Sequence, residues 1–278
     1  MKKMIFLSFL PFLLLCLFGH FNKEKKETIS SVSLPSQIVI DVGHGGSDPG
    51  KVGINQALEK DVNLAIGLYL QEYFTAAGRT VTMTRTDDHS LADPNASNQK
   101  LSDLKNRTAL INEIGPAAVI SIHQNSYPQE SVHGAQVFHS GTSESALLAD
   151  CIQQELLRVL DPSNHRTIKK NEDYYLFRHT SSPIVIVECG FLSNYQEANL
   201  LISEDYQRKT AWAIYMGTMR FLQALEQEKP TFLRPDDHPN QNVLFWNKTG
   251  CNKAITENGA KICFVPFLLH KLKYEKCV

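Results

Sequence analysis

Short apolar runs alternate along the chain with longer stretches that carry apolar residues at helical spacing. Residues 37–41 form a β-branched run that ends in a glycine-rich loop, and residues 80–84 form the next such run. Between them a helical pattern begins near Leu58. Its apolar positions follow the i, i+3, i+4, i+7 spacing of one helix face: Val62, Ala65, Ile66 and Tyr69. This order predicts parallel strands joined by a right-handed crossover.

The same alternation continues to about residue 227. It predicts further strands over 118–122, 134–138 and 183–187, a polar loop over 87–99, and helices over 101–114, 145–160 and 205–225. The run at 183–187 is the most apolar of the chain, which is typical of a strand covered on both faces. We therefore predict an α/β fold, a single domain with a twisted, mostly parallel sheet covered by helices on both faces.

The first residues have the pattern of an export signal. Two lysines precede an apolar run over residues 4–18, and a polar segment follows. About fifteen apolar residues are many for a cleaved signal and few for a spanning helix. Residues 1–19 are therefore a signal peptide or a signal anchor, with the anchor slightly favoured, and residues 20–35 are a linker. We expect the rest of the chain to work outside the cytoplasmic membrane.

The periodic pattern stops at about residue 228. We assign residues 36–227 to one catalytic domain and residues 228–278 to a tail of unknown role, which lacks helical periodicity. A disulfide among Cys251, Cys263 and Cys277 stays open. Cys151 and Cys189 lie in apolar stretches, and such cysteines are mostly small buried side chains.

The balance of charged residues argues against one class of function, nucleic-acid binding. With 28 basic and 29 acidic side chains the formal net charge is -1. Nucleic-acid binders usually carry a clear basic excess. We expect no nucleic-acid partner.

Two histidines and one glutamate follow predicted strands. His44 comes directly after the first strand in a glycine-rich loop, His123 follows strand 118–122, and Glu188 follows strand 183–187. Open α/β sheets place ligands at the carboxyl ends of their strands. Either histidine alone could be incidental or buried in the core. A carboxylate after four β-branched residues is costly to bury unless it is paired or metal-bound.

Glu59 opens the predicted helix after the glycine-rich loop. An acidic residue in a first helical turn usually just complements the helix dipole. The intervening loop, however, is long enough to fold back and bring Glu59 to His44. Two imidazoles and one carboxylate would leave a fourth position for water, which is typical of a catalytic rather than a structural zinc site. A carboxylate beside it, Glu188, would be the general base.

Seven ordered stretches resemble the zinc-dependent N-acetylmuramoyl-L-alanine amidases of the amidase type 3 family. The stretches are IVIDVGHGGSDPG, LEKDVNL, TMTRTDD, a helix with Arg107 and Asn112, VISIHQNS, GAQVFHS and VIVECGFLSN. They cover the chain from about residue 36 to 227. The resemblance implies one Zn²⁺ per chain, held by His44, Glu59 and His123, with Glu188 as the catalytic acid/base. It also implies hydrolysis of the amide bond between N-acetylmuramic acid and L-alanine in peptidoglycan.

Within this family the chain is most similar to spore-cortex, germination-specific members. The connections 126–134 and 138–145 are too short for the long inhibitory helix of division-linked relatives. This similarity implies a role in forming muramic δ-lactam, with peptidoglycan glycan strands and stem peptides as partners, in the space between forespore and cortex. The N-terminal segment would attach to the membrane, and the enzyme would be either constitutively active or activated by a spore lipoprotein. A vegetative amidase, a zinc peptidase of the wall and a non-catalytic wall-binding protein are the alternatives.

Other polar residues receive supporting roles or none. Asp41 and Asn125 are close enough in sequence to the ligands to hydrogen bond with them. Arg107 would steady the site loops by pairing with a carboxylate. His139 is expected at the surface or beside a ligand rather than on the metal. Surface positions are predicted for the remaining loop histidines: His89, His133, His165 and His179.

Overall fold

The computed structural model describes residues 37–227 and two short strands, Asn252–Ile255 and Lys261–Phe264. The predicted signal and linker lie outside the described residues, and so do the side chains needed to judge a disulfide in the tail. The boundaries proposed at residues 36 and 227 stay predictions. None of the described helices combines the length and apolar character needed to cross a bilayer.

Within residues 37–227 a six-stranded sheet carries the fold. Its strands are β1 (Gln37–Val42), β2 (Thr80–Met83), β3 (Ala118–Asn125), β4 (Gln136–His139), β5 (Lys169–Lys170) and β6 (Ile184–Phe191). The helices are α1 (Glu59–Ala76), α2 (Gln99–Ile114), α3 (Ser143–Val159), α4 (Tyr175–His179), α5 (Tyr195–Leu201) and α6 (Glu204–Gln227). Separately, β7 (Asn252–Ile255) and β8 (Lys261–Phe264) pair with each other in antiparallel orientation.

The strand order in the large sheet is β2-β1-β3-β6-β4-β5. β1 pairs in parallel with β2 and β3, and β3 pairs in parallel with β6. β4 runs antiparallel to β6, and β5 is parallel to β4. The prediction of a single α/β domain with a mostly parallel sheet is confirmed, with β4 reversing the direction.

Alternation along the central strands separates two faces of the sheet. On the face that we call the α1 face, Gly67 of α1 approaches Val42 and Ile122. On the opposite face, which we call the α2 face, a buried apolar cluster joins strand residues to α2 and α4. Its buried members are Val39, Ile111, Val119, Phe138, Leu176, Phe177, Ile184 and Ile186. Continuing the alternation of side chains places Asp41, Ser121, His123 and Glu188 on the α2 face.

Several element boundaries differ from the sequence prediction. His123 and Glu188 do not follow their strands but lie inside them, paired with each other in the β3–β6 register. The pairing continues past a bulge between His123 and Asn125, so both strands extend further than their apolar runs. β4 starts at Gln136 instead of Gly134, because Gly134 has a positive φ of 99° and its N–H donates to Glu197.

The helices begin earlier than their apolar stripes. Asn98 caps α2 by accepting from the Leu101 N–H, and Thr142 caps α3 by accepting from the Ser145 N–H. The short elements α4, α5 and β5 were not predicted, since they have too few residues to show a period. On α1 the buried stripe is also shifted from the predicted one and consists of Val62, Ile66, Gly67, Leu70 and Phe74, with Glu59 and Asn63.

The two cysteines whose side chains are described behave as predicted. Cys151 and Cys189 are buried and free. Burial raises the pKa of the Cys189 thiol, as does the nearby Glu188 carboxylate. A buried protonated thiol packs as a small apolar side chain.

Candidate metal centre and active-site cleft

Three side chains meet at the carboxyl end of the parallel strands. His44 Nε2 lies 3.2 Å and His123 Nδ1 lies 3.0 Å from the same oxygen, Oε1 of Glu59. The ligand atoms of the three residues all lie within 4.8 Å of one another. The two rings stand edge to face with centroids 5.1 Å apart. The loop over residues 43–58 therefore folds back and brings the first residue of α1 to both histidines.

Glycines allow this close approach. A Cβ on Gly43 would overlap the imidazole of His123. At Gly50, where φ is +66°, a Cβ would lie 2.6 Å from Glu59 Oε2. Larger residues at either position would push the loop away from the ligand side chains.

His44 is held in an unusual backbone conformation by buried arginines. Its φ is 62°, a region that non-glycine residues rarely adopt. Arg107 donates to the His44 carbonyl at 2.8 Å and to the Val42 carbonyl at 2.6 Å. Arg85 donates to the Val42 and Gly43 carbonyls at 3.2 and 3.1 Å. Four carbonyl contacts thus fix the strand end and the loop that present the imidazole.

Arg107 is anchored in turn by carboxylates. It pairs with Asp41 at 2.8 Å and with Asp103 of its own helix. Asp41 also accepts from Ser121 Oγ at 2.6 Å. Burial would raise the pKa of Asp41, but Arg107 and the Ser121 hydrogen bond outweigh it and lower the pKa. This buried network supports the strand end and the loop that carry His44.

Backbone donors and imidazoles keep Glu59 ionised. Its Oε1 accepts from the Gln124 N–H at 3.0 Å and its Oε2 from the Lys51 N–H at 2.7 Å. Burial would raise the pKa of Glu59, but hydrogen bonds and charges from His123 and His44 hold it well below its usual range. For His44, burial opposes protonation, yet Glu59 and Asp48 raise its pKa. The pocket is thus built for a cation between a carboxylate and two imidazoles.

The second nitrogen of His44 has its own carboxylate partner. Nδ1 lies 2.8 Å from Asp48 Oδ2, while Nε2 faces Glu59. Metal-bound histidines commonly donate their other ring N–H to a carboxylate, which fixes the ring and its tautomer. The donor set of two imidazoles and one carboxylate, with this support, fits the composition of catalytic zinc sites. His44, Glu59 and His123 could together hold a metal ion.

Glu188 lies directly beside this cluster, opposite His123 in the strand register. Its Oε2 is buried and has no hydrogen-bond partner among the described residues. Burial raises the pKa of Glu188 to about 7, with the Glu59 charge acting in the same direction and the histidines opposing it. A buried carboxyl group without a structural partner is typical of a chemical rather than a structural role.

A cleft of about 280 Å³ opens onto these residues. His44, His123 and Glu188 line it, with Asp48 nearby. The opposite wall consists of residues from α2, from α4 and from the position directly before α4, namely Lys100, Asp103, Leu104, Arg107, Tyr174, Tyr175 and Leu176. The volume is close to the lower end of ordinary ligand pockets, and the open side would admit part of a larger polymer.

The structure brings together the four residues that the sequence singled out, namely His44, Glu59, His123 and Glu188. The hydrogen-bond partners predicted for them, however, differ from those in the structure. Asp41 bonds Arg107 and Ser121 rather than an imidazole, and Asn125 accepts from the adjacent Ser126 N–H. The expectation that these two residues hydrogen bond to the ligands was therefore wrong. Arg107 does pair with carboxylates and contacts the loop of His44, as predicted.

The other histidines take no part in the cluster. His139 is neither at the surface nor beside a ligand, because it is buried in β4, where Nδ1 accepts from the Gly141 N–H. His89, His133, His165 and His179 are exposed as predicted, although His179 is the last residue of α4 and not part of a loop.

Sequence reasoning missed Asp48, Arg85 and Tyr174. Asp48 had a local signal, since it lies four residues after His44 in the same glycine-rich loop. Arg85 follows β2 at the same sheet edge as His44, which was a weaker signal. For Tyr174 no sequence signal existed, because it precedes a five-residue helix in an irregular stretch.

Comparisons with known proteins identify the family of the chain. Residues 38–220 match the family described as N-acetylmuramoyl-L-alanine amidase. The chain is 38% identical over 228 residues to a germination-specific N-acetylmuramoyl-L-alanine amidase of Bacillus subtilis, covering 79% of this chain and 95% of that one.

Solved structures give the same result. The CwlD amidase of Clostridioides difficile, determined in complex with the GerS lipoprotein, is 41% identical with a TM-score of 0.66, covering 68% of this chain and 98% of that one. The catalytic domain of the amidase CwlV from Bacillus (Paenibacillus) polymyxa is 28% identical with a TM-score of 0.58, covering 67% and 98%. The chain belongs to the N-acetylmuramoyl-L-alanine amidase family and is a hydrolase of peptidoglycan.

Proposed function

We propose that this chain is a zinc amidase that removes stem peptides from spore-cortex peptidoglycan. His44, Glu59 and His123 hold one Zn²⁺ per chain, and Glu188 is the catalytic acid/base. The observation that carries the proposal is the convergence of three ligand atoms within 4.8 Å beside a buried glutamate oxygen that lacks a partner. That combination meets the requirements of metal-assisted hydrolysis.

The reaction needs a polarised carbonyl and a proton carrier. Bound by His44, Glu59 and His123, a zinc ion would supply Lewis-acid chemistry that polarises a carbonyl oxygen and lowers the pKa of water. Glu188 accepts the proton of the attacking water while the water oxygen bonds to the lactyl carbonyl carbon. When the C–N bond breaks, Glu188 returns this proton to the amine of L-alanine. Its position opposite His123 supports both transfers, since no other described group competes for Oε2.

The ligand residues are prepared for their roles before a metal binds. Glu59 is ionised by its imidazole neighbours and fixed by two backbone N–H groups. His44 is oriented by Asp48 through one nitrogen and by Arg107 through its carbonyl. Preorganisation of this kind lowers the ordering cost of binding.

The setting in the spore cortex rests on similarity. The Bacillus subtilis relative is described as germination-specific, and the Clostridioides difficile relative is an amidase bound to a lipoprotein. We extend both properties to this chain: formation of muramic δ-lactam outside the forespore membrane, activation by a spore lipoprotein, and attachment through the N-terminal segment. Zinc affinity measured with and without the cognate lipoprotein would test activation, and equal values with equal turnover would contradict it.

Product analysis tests the reaction itself. Purified protein with zinc should release peptides with a new amino-terminal L-alanine from peptidoglycan and leave the glycan strands uncut. A chelator should abolish this release, and added zinc should restore it. Peptides cut at internal bonds would instead indicate the peptidase alternative, and no release by zinc-loaded protein would favour the non-catalytic one.

Metal content tests the ligand assignment independently of activity. His44→Ala should lose bound zinc, while Glu188→Ala should retain it. Normal zinc content in the His44 variant would contradict the ligand set. Spores that lack the protein should lack muramic δ-lactam, whereas a defect confined to growing cells would favour the vegetative alternative.

A further inference from the structure

Tyr174 occupies an unassigned position in the cleft. It lines the same cavity as His44, His123 and Glu188 but belongs to the opposite wall, directly before α4. Neither the ligand cluster nor the arginine network accounts for it. Its side chain is half-buried and forms part of the cleft lining.

The ring of Tyr174 is fixed by two aromatic neighbours. It stands edge to face with Phe138 at 5.9 Å and with Phe177 at 5.5 Å between centroids. Both neighbours belong to the buried apolar cluster of the α2 face. Edge-to-face packing and burial restrict the ring to one orientation. The hydroxyl group is therefore carried by a rigid support, as a catalytic donor requires.

The strand register places this ring beside the acid/base. Phe138 pairs with Ile186 across β4 and β6, and Glu188 is the next residue on the same face of β6. Burial and the Glu188 charge raise the pKa of Tyr174 to about 12, so the phenol stays protonated and able to donate at neutral pH. Yet Glu188 Oε2 has no partner, so the phenol does not donate to that oxygen. Tyr174 and Glu188 thus line one cavity, and Glu188 Oε2 is not engaged by the phenol.

We propose that Tyr174 is a further catalytic residue, whose phenol donates a hydrogen bond to the oxygen of the scissile carbonyl. This inference rests on the proposed amidase mechanism. Water oxygen bonds to the carbonyl carbon, and the carbonyl oxygen gains negative charge. Glu188 carries the water proton to the leaving amine, the C–N bond breaks, and the proton of Tyr174 stays on the phenol. A donor fixed in advance stabilises this charge without reorganising during the reaction.

The test is Tyr174→Phe in the full-length, zinc-loaded protein. The change removes only the hydroxyl group and keeps the ring in its aromatic contacts. We expect kcat on purified peptidoglycan to fall by about 10- to 100-fold, with KM within about twofold and zinc content unchanged.

A matched control is Tyr215→Phe. Tyr215 is also half-buried and stands edge to face with a phenylalanine, Phe74, but lies away from the cleft. It should keep wild-type kcat. If Tyr174→Phe also keeps kcat, or raises KM alone, the inference is overturned. Wild-type protein that releases no peptide would instead contradict the proposed function itself.

A second measurement separates catalysis from folding. A phosphinate analogue of the muramoyl–alanine bond carries charged oxygens where the carbonyl oxygen becomes negative. Its affinity should fall in Tyr174→Phe by the same factor as kcat/KM, at unchanged melting temperature. Unchanged affinity for the analogue would overturn the assignment, even if the variant turns over slowly.

Discussion

The two faces of the central sheet use the same strands for different purposes. On the α1 face the strands stay apolar as far as Val42, Ile122 and Val187, and the first two of these pack against Gly67 of α1. On the α2 face, apolar residues occupy the same strands only at first. Towards the carboxyl end they give way to Ser121, His123 and Glu188. The α1 face therefore stays apolar up to the level of the site, whereas the α2 face changes there from apolar core to polar site residues.

This difference shows how a small domain supports a polar site without losing its core. Alternation with a period of two lets each strand present a polar residue to one face while the residues beside it stay buried on the other. Ile122 and Val187, which precede His123 and Glu188, are both fully buried. Substitutions on the two faces should therefore separate activity from stability.

The largest expected effect is on the α2 face, at Glu188. Glu188→Gln keeps the shape of the side chain and removes its ability to carry a proton, so turnover should fall by about 1,000-fold. Stability should not decrease, because the buried Oε2 has no partner to lose. Peptide release and thermal unfolding measure the two quantities. Glu113→Gln, at an exposed position of α2, is the control and should change neither.

The converse effect is expected on the α1 face. Leu70 is fully buried on α1, and Leu70→Ala should lower the free energy of unfolding by about 3 kcal/mol through lost burial and a cavity. Below the new unfolding temperature, kcat should be unchanged. Leu68→Ala, at an exposed position of the same helix, should cost far less. If Leu70→Ala left stability intact but reduced kcat, the division between the faces would be wrong.

A smaller effect should follow from loosening one ligand. Asp48→Asn removes the charge that orients His44 through Nδ1, and zinc affinity should fall by about 10- to 100-fold. Competition with a fluorescent chelator measures this directly. The control is Asp150→Asn, which makes the same change of charge at an exposed site on α3 far from the cluster and should leave zinc affinity unchanged. Equal affinities in the two variants would show that Asp48 does not support the ligand.

The smallest expected effect is the acid response of the buried support. The pKa of Asp41 is lowered by Arg107 and Ser121 against the opposing effect of burial. Its stabilising contribution is therefore complete above the ordinary value of 3.8 and is lost as pH falls through the lower folded-state pKa. Denaturation of wild type and Asp41→Asn should differ more near neutral pH than below pH 3.8. A difference that is independent of pH would contradict this assignment.

Much of the fold followed from periodicity. The strands around the site were predicted because β-branched runs such as residues 183–187 have few other interpretations in a globular chain. Short elements were not predictable in this way. α4, for example, has five residues and no repeat, although its neighbour Tyr174 forms part of the cleft wall.

Hydrogen-bond partners were harder to predict than the side chains that converge at the candidate site. Sequence proximity suggested Asp41 as a hydrogen-bond partner of the histidines, but its carboxylate bonds to Ser121 and Arg107 instead. Which of several nearby carboxylates reaches an imidazole depends on loop geometry. The positive φ of His44 turns its ring towards Asp48, four residues further on.

The sequence by itself determined the fold class and the order in which strands and helices follow each other along the chain. It also selected His44, Glu59, His123 and Glu188 as candidate site residues. These features depend on local periodicity and on residue types that bind metals or carry protons. Only the tertiary structure decided that His123 and Glu188 pair within neighbouring strands, that Arg85 and Arg107 hold the loop of His44, and that Tyr174 faces the cleft. These contacts join residues far apart in the chain, and their geometry is set by packing and sheet register rather than by any local pattern.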